Sequence, residues 1–112
     1  MDNYNYQKGM REIIQELKNL LKHKDIGTDS DRALLLDFQA TLEIKPEKAI
    51  KLEKDAIALI KEITEENAHL ASNLHSNLGG LYRMNGYPDL AREHMEKGLF
   101  LLEQYNLLYT HD

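Results

Sequence analysis

The sequence predicts an all-α fold of about five helices, and three observations support this class. Apolar residues recur at intervals of three and four over several long segments, which is the spacing of an amphipathic helix. Pro46 and Pro88 each follow the end of such a segment and suit the first position of a new helix, because proline lacks the N–H group that is unsatisfied there. No segment alternates apolar and polar residues between turn signals, so no strand is predicted.

The first predicted helix covers residues 4–23 and carries one apolar stripe. The stripe consists of Met10, Ile13, Ile14, Leu17, Leu20 and Leu21. The loop that follows ends at Asp29 and Ser30, either of which is expected to cap the second helix, because short polar side chains accept hydrogen bonds from free backbone N–H groups. The second helix is predicted over residues 31–44.

Proline and glycine set the limits of the remaining helices. The third is predicted over residues 46–63, and the fourth follows over 68–84 after a short turn. Gly86 is expected in the left-handed conformation that ends the fourth helix. The fifth helix is predicted over residues 88–105, and residues 106–112 form a short tail. Two charge pairs at i,i+4 are expected on the third helix, Glu47–Lys51 and Lys51–Asp55.

An internal repeat is the longest-range pattern in the chain. A shift of 42 residues aligns Pro46 with Pro88 and Ala49 with Ala91. The matches fall where the packing of two helices requires a small or a large apolar residue. The second copy of the repeat contains an ordered motif of His75, Leu78, Gly79, Tyr82, Ala91 and Met95.

This motif resembles the tetratricopeptide repeat family, whose helix–turn–helix unit of about 34 residues carries an aromatic residue, Leu-Gly and Tyr, followed by Ala and Phe. The resemblance covers residues 72–105 well and 30–63 weakly. Met95 replaces the Phe, and the weaker copy has Asp37 in the Gly position and Glu53 in the Phe position. The long helices are similar to those of bacterial regulators, including peptide-sensing transcription regulators and phosphatases.

The resemblance implies a single domain of residues 1–112, in which antiparallel hairpins stack as a right-handed superhelix. The hairpins are expected over residues 30–63 and 64–105. Residues 4–23 would then be the unpaired second helix of a truncated unit, and residues 106–112 would lead into a following one. We therefore expect the chain to be a fragment of a longer repeat protein, whose exposed helix edges favour self-association.

Small residues are expected where two helix backbones approach closely, with large apolar residues filling the space between them. Gly79 lies inside a helix, where it costs about 1 kcal/mol against Ala, so a packing role is expected for it. The predicted packing residues are Leu36, Ala49, Ala56, Leu78, Gly79, Tyr82, Ala91, Met95 and Gly98.

The resemblance also implies a binding groove, because the first helix of each pair lines the concave face in this family. In the second unit the groove residues would be Asn73, Asn77, Gly80, Arg83 and Met84. Asn side chains both donate to and accept from a peptide backbone, and Arg can form two hydrogen bonds with a carboxylate. In the first unit the corresponding residues are Asp31, Leu34, Leu35, Phe38 and Leu42, whose apolar character favours packing against the first helix.

Composition argues against several classes of function. The net charge of −5 disfavours direct binding to nucleic acid or to an anionic membrane surface. The absence of Cys excludes disulfides and thiolate chemistry and is compatible with the cytoplasm. The histidines do not have the spacing of a metal site, so no metal is expected. No catalytic or phosphate-binding motif is present, so enzyme activity and a cofactor are not expected either.

The sequence therefore predicts a non-catalytic protein that binds a protein or peptide through helical repeats. Two alternatives remain open. One is a peptide-sensing regulatory domain of a bacterial transcription regulator or signalling protein. The other is a structural oligomerisation module, whose groove would be filled by a second copy of the chain.

Overall fold

Five α-helices and no strands make up the fold over residues 3–23 and 26–106, the part of the chain that the computed structural model describes. The all-α prediction is confirmed. The helices are α1 (Asn3–Leu20), α2 (Asp29–Leu42), α3 (Pro46–Leu59), α4 (Ala68–Met84) and α5 (Pro88–Gln104). Residues 107–112, the greater part of the predicted tail, lie outside the described residues.

The cap of α2 differs from the predicted one. Thr28 is the N-cap, not Asp29 or Ser30, and it forms a capping box with Asp31. The Asp31 N–H donates to the Thr28 hydroxyl at 3.1 Å, and the Thr28 N–H donates to the Asp31 carboxylate at 2.9 Å. Two free N–H groups are satisfied at once, which lets α2 begin two residues before the predicted start.

Helix α3 ends at Leu59, four residues before the predicted end. The next segment forms local hydrogen bonds that replace the helical ones, since the Thr64 N–H donates to the Asn67 side chain at 2.8 Å and the Asn67 N–H to the Thr64 hydroxyl. Tyr105, at the end of α5, holds this loop by donating its hydroxyl to the Ile63 carbonyl at 3.2 Å. The apolar periodicity through Ile63 therefore reflects packing of a loop rather than a longer helix.

Helix α4 has the predicted bounds, and α5 ends one residue before the predicted end. Gly86 adopts φ 86°, the left-handed conformation expected at the end of α4. Pro88 is the first residue of α5, as Pro46 is of α3. On the surface of α3, Lys51 pairs with Asp55 at 3.0 Å rather than with Glu47.

The helices pack in the order of the sequence. Each contacts its sequence neighbours, and α2 also contacts α4. Helix α1 packs on α2 alone and α5 on α4 alone, so these two helices lie at opposite ends of the described fold. Their outer faces are consequently the least covered.

Two apolar clusters form the core. Ala33, Ala56 and Leu74 join α2, α3 and α4. Leu78, Tyr82 and Ala91 join α4 to α5, with Ile50 and Ile57 of α3 packed against them. Among the predicted packing residues Leu36 and Met95 are half-buried, and those that are buried are Ala49, Ala56, Leu78, Gly79, Tyr82, Ala91 and Gly98.

Close backbone approach explains the two glycines at the α4–α5 contact. A Cβ atom on Gly79 would lie 2.8 Å from the Met95 Cγ and 3.0 Å from the Ala91 carbonyl oxygen. A Cβ on Gly98 would lie 3.0 Å from the Ser72 carbonyl oxygen. At the latter point the Ser72 hydroxyl donates to the Gly98 carbonyl at 2.8 Å, which satisfies a buried hydroxyl across the two helices.

Over residues 3–23 and 26–106, no helix is both long enough and apolar enough to cross a membrane.

Candidate functional site

The candidate site is the face formed by α2 and α4, and a hydrogen bond lies at its centre. The Asn77 side-chain amide donates to the Asp37 carboxylate at 2.9 Å and joins the two helices. On α2, helical spacing places Leu34 and Thr41 on either side of Asp37. Leu34 is 37% exposed, so the face contains apolar as well as polar surface.

Four of the five predicted groove residues follow one row along α4, at intervals of four, three and four. Asn73, Asn77 and Met84 are exposed, and Gly80 is half-buried. A Cβ on Gly80 would meet no atom within 4 Å, so the surface above this residue is open. Met84 is 77% exposed, so a large apolar side chain is accessible at the end of the row. We call this row, together with Leu34 and Asp37, the α2–α4 face.

The structure does not bring the fifth predicted groove residue to this face. Arg83 is exposed but lines a different groove, between α4 and α5, together with Pro88 and Leu99. Asn77 and Arg83 are six residues apart, which places them on different sides of a helix with 3.6 residues per turn. The predicted cooperation of Asn77 and Arg83 on one peptide is therefore not supported by their positions.

The residues predicted to line the first unit are divided among different roles. Asp31 is exposed and takes part in the capping box of α2, where its carboxylate accepts a hydrogen bond from the Thr28 N–H. Leu35, Phe38 and Leu42 are half-buried on α2, the helix on which α1 packs. Of the four apolar residues only Leu34 is exposed, and it lies beside Asp37 on the α2–α4 face.

A buried carboxyl group lies directly behind the face. Glu53 of α3 is 2% exposed and forms a side-chain hydrogen bond with Asp37. Burial, the hydrogen bond and the charge of Asp37 together raise the pKa of Glu53 to about 9. Glu53 therefore carries a proton at neutral pH and donates it to Asp37, while its Oε1 atom is buried without a hydrogen-bond partner.

This carboxyl pair occupies the same repeat position as a glycine–methionine contact. The 42-residue shift places Asp37 on Gly79 and Glu53 on Met95, and each pair is in contact in the structure. The two substitutions that depart from the repeat pattern thus compensate each other, because one carboxyl group supplies the hydrogen bond that the other requires. Asp37 accepts from Glu53 and from Asn77, and it ties α3 and α4 to α2.

A histidine pair at the α4–α5 contact was not predicted either. His75 and His94 stack with ring centroids 5.2 Å apart, and their Nδ1 atoms lie 3.0 Å apart. Burial, reinforced by the charges of His94 and Lys97, lowers the pKa of His75 to about 4, and burial also lowers the pKa of His94. Both rings are therefore neutral at pH 7, and one Nδ1–H donates to the other Nδ1.

Neither cluster has the composition of a metal site. In the described part of the chain no group of three or more His, Asp or Glu side chains is arranged to hold a metal ion. His75 and His94 supply two ligands, whereas zinc sites use three or four protein ligands. The hydrogen bond between the two rings and the contact of His94 with Tyr82 are typical of aromatic rings that pack between two helices.

A second surface feature is an open groove of about 610 Å³ along α5. Its apolar part is formed by Ile63, Phe100 and Leu101. Its polar part consists mainly of long charged side chains, of which Glu93 and Lys97 pair with each other at 3.3 Å in an exposed position. Exposed ion pairs of this kind contribute little to specific recognition or stability.

Comparison of the chain with protein-family models, with curated proteins and with solved structures finds no match in any of the three.

Proposed function

We propose that the protein is a non-catalytic scaffold that binds an extended peptide, or an extended segment of a protein, on the α2–α4 face. The observation that carries this proposal is the Asn77–Asp37 hydrogen bond, which fixes α2 and α4 side by side beneath a row of exposed side chains. A surface that is held before binding loses little conformational entropy when a partner is bound.

The chemistry of the face suits a peptide backbone. Asn73 presents a donor and an acceptor on the exposed row, and its amide nitrogen is 3.4 Å from the His69 Nδ1 atom. Asn77 retains its carbonyl oxygen and one N–H after donating to Asp37. Because Gly80 lacks a side chain and has open space above it, a partner backbone can approach α4 closely between Asn77 and Met84.

Apolar side chains at the edges of the face would bind side chains of the partner. Leu34 lies on α2, and Met84 at the end of α4 is flexible and polarisable, so it adapts to different partner shapes. The α5 groove offers less, since its polar lining consists of solvated charged groups. The expected partner is therefore an extended segment that carries apolar side chains and has a backbone edge free to form hydrogen bonds.

The test begins with selection of peptides from a display library on the immobilised protein. The dissociation constant of the best peptide is then measured for the wild type and for the Asn73→Ala and Met84→Ala variants. Each variant should weaken binding about tenfold, the effect of losing a well-placed contact of about 1.4 kcal/mol. Phe100→Ala is the matched control, because Phe100 is an exposed apolar residue of the α5 groove.

Two outcomes would contradict the proposal. One is unchanged affinity of both variants with unchanged circular dichroism. The other is a loss of affinity in Phe100→Ala alone, which would move the binding site to the α5 groove.

A further inference from the structure

Helix α1 carries an apolar stripe that no other part of the described chain covers. Tyr6, Ile13 and Leu20 recur every seven residues and are 52%, 48% and 59% exposed. Ile14 of the same helix is buried, so α1 already uses a neighbouring stripe to pack on α2. The exposed stripe extends over about 21 Å at 1.5 Å per residue.

At the other end of the fold, α4 and α5 form an open groove of about 390 Å³. Its floor contains Ala91 and Met95, and its α5 edge contains Pro88 and Leu99. Leu99 is 48% exposed. Positions 88, 92, 95 and 99 follow each other at intervals of four, three and four, the spacing of a ridge that accepts an antiparallel or parallel helix. The groove has the periodicity that suits one amphipathic helix.

The charges beside the stripe and the groove are complementary. Glu12 and Glu16 are exposed on α1, where helical spacing places Glu16 three residues after Ile13 and four before Leu20. Arg83, Arg92 and Glu96 are exposed and line the groove, so its charged side chains are two basic and one acidic and leave an excess of positive charge. Opposite charges around a shared apolar contact select one partner and one orientation.

We propose that α1 of one copy of the chain docks in the α4–α5 groove of a second copy. The contact is heterologous, since the two surfaces that meet are different, and α1 and α5 lie at opposite ends of the fold. After pairing, the copy that donates its stripe keeps a free groove and the other copy keeps a free stripe, so the copies associate head to tail. This surface is separate from the α2–α4 face, and its test does not depend on the proposed peptide binding.

The first test compares the mass of the wild type with that of Ile13→Glu and Leu99→Glu by sedimentation over a range of concentrations. The wild type should grow beyond a dimer as concentration rises, and each variant should associate at least about tenfold more weakly, because a charge replaces an apolar contact at the interface. Ile44→Glu is the matched control, since Ile44 is 87% exposed between α2 and α3 and belongs to neither surface. Circular dichroism establishes that each variant is folded.

Mixing the two variants tests the head-to-tail arrangement itself. Ile13→Glu keeps an intact groove and Leu99→Glu keeps an intact stripe, so an equimolar mixture should form a dimer that neither forms alone and should stop there. The charge pairs are tested with a mixture of Glu16→Arg and Arg92→Glu, because both contacts between the two variants then bring opposite charges together and association should continue beyond a dimer.

Three results would overturn the proposal. A wild type that remains monomeric at high concentration would assign the groove to another occupant. Association by Leu99→Glu that equals the wild type would indicate a contact between two α1 stripes. Loss of association in both single variants without recovery in the mixture would show that the stripe and the groove do not meet.

Discussion

Glu53→Gln should stabilise the protein at neutral pH and should remove part of its pH dependence. Glu53 is 2% exposed, and burial with the neighbouring Asp37 raises its pKa from 4.5 to about 9. Between these two pH values the folded protein holds a proton that the unfolded chain releases. Stability from this group is therefore fully present below pH 4.5 and is lost as the pH rises toward 9.

The size of the effect follows from the two pKa values. Each pH unit within this window costs about 1.4 kcal/mol for one proton. At pH 7 the wild type has thus lost about 3 kcal/mol relative to pH 4.5. Gln is neutral at every pH, has nearly the shape of protonated Glu, and can donate its amide N–H to Asp37, so it avoids this loss.

Urea denaturation monitored by circular dichroism at pH 5, 6, 7 and 8 measures the free energy of unfolding directly. The difference between Glu53→Gln and the wild type should grow by about 1.4 kcal/mol per pH unit. Glu47→Gln is the matched control, because it makes the same substitution at an exposed position of the same helix. Parallel pH profiles for the wild type and Glu53→Gln would refute the assignment of a proton to Glu53.

Two further predictions concern the contact between α4 and α5. Gly79→Ala should destabilise the fold by about 1–3 kcal/mol, because the added Cβ would lie 2.8 Å from the Met95 Cγ. Gly80→Ala should instead stabilise it by up to about 1 kcal/mol, because its Cβ would meet no atom within 4 Å and Ala favours a helix more than Gly does. Thermal unfolding separates the two, and equal shifts in both variants would contradict the close approach at Gly79. The stability of His75→Phe should depend less on acid than that of the wild type. Burial lowers the pKa of His75 from 6.5 to about 4, so the wild type loses stability from this group as the pH falls from 6.5 toward 4. Urea midpoints at pH 6.5 and 5 measure this, and an equal change in both proteins would contradict it.

Local signals explain why most helix limits could be predicted. Pro46, Gly86 and Pro88 each restrict or free one backbone position, and the structure places the helix limits beside them. The end of α3 could not be predicted in the same way. Ile60 and Ile63 continue the apolar spacing, but hydrogen bonds between Thr64 and Asn67 favour a loop that packs on the core.

The site was predicted less completely than the fold, for two physical reasons. The groove residues were assigned from a repeat pattern, and the helical angle between Asn77 and Arg83 separates them. In the sequence, Asp37 and Glu53 appeared only as two separate departures from that pattern. Apolar periodicity does not show which polar side chains touch, so it could not reveal that the two carboxyl groups share a proton. The 42-residue shift could have identified the pair, because it places both residues at positions whose counterparts touch.

The His75–His94 pair shows the same limit. The two residues are 19 positions apart on different helices, and only the antiparallel packing of α4 on α5 brings their Nδ1 atoms to 3.0 Å. A prediction would have required the register of the hairpin as well as its existence.

Binding of an extended segment on the α2–α4 face would change the surroundings of specific backbone amides. The most direct measurement is the change in backbone amide chemical shifts when a selected peptide is added to the isotope-labelled protein. We expect the largest changes around Leu34 and Asp37 on α2 and from Asn73 to Met84 on α4. Changes confined to α5, or to the exposed surface of α3, would contradict it.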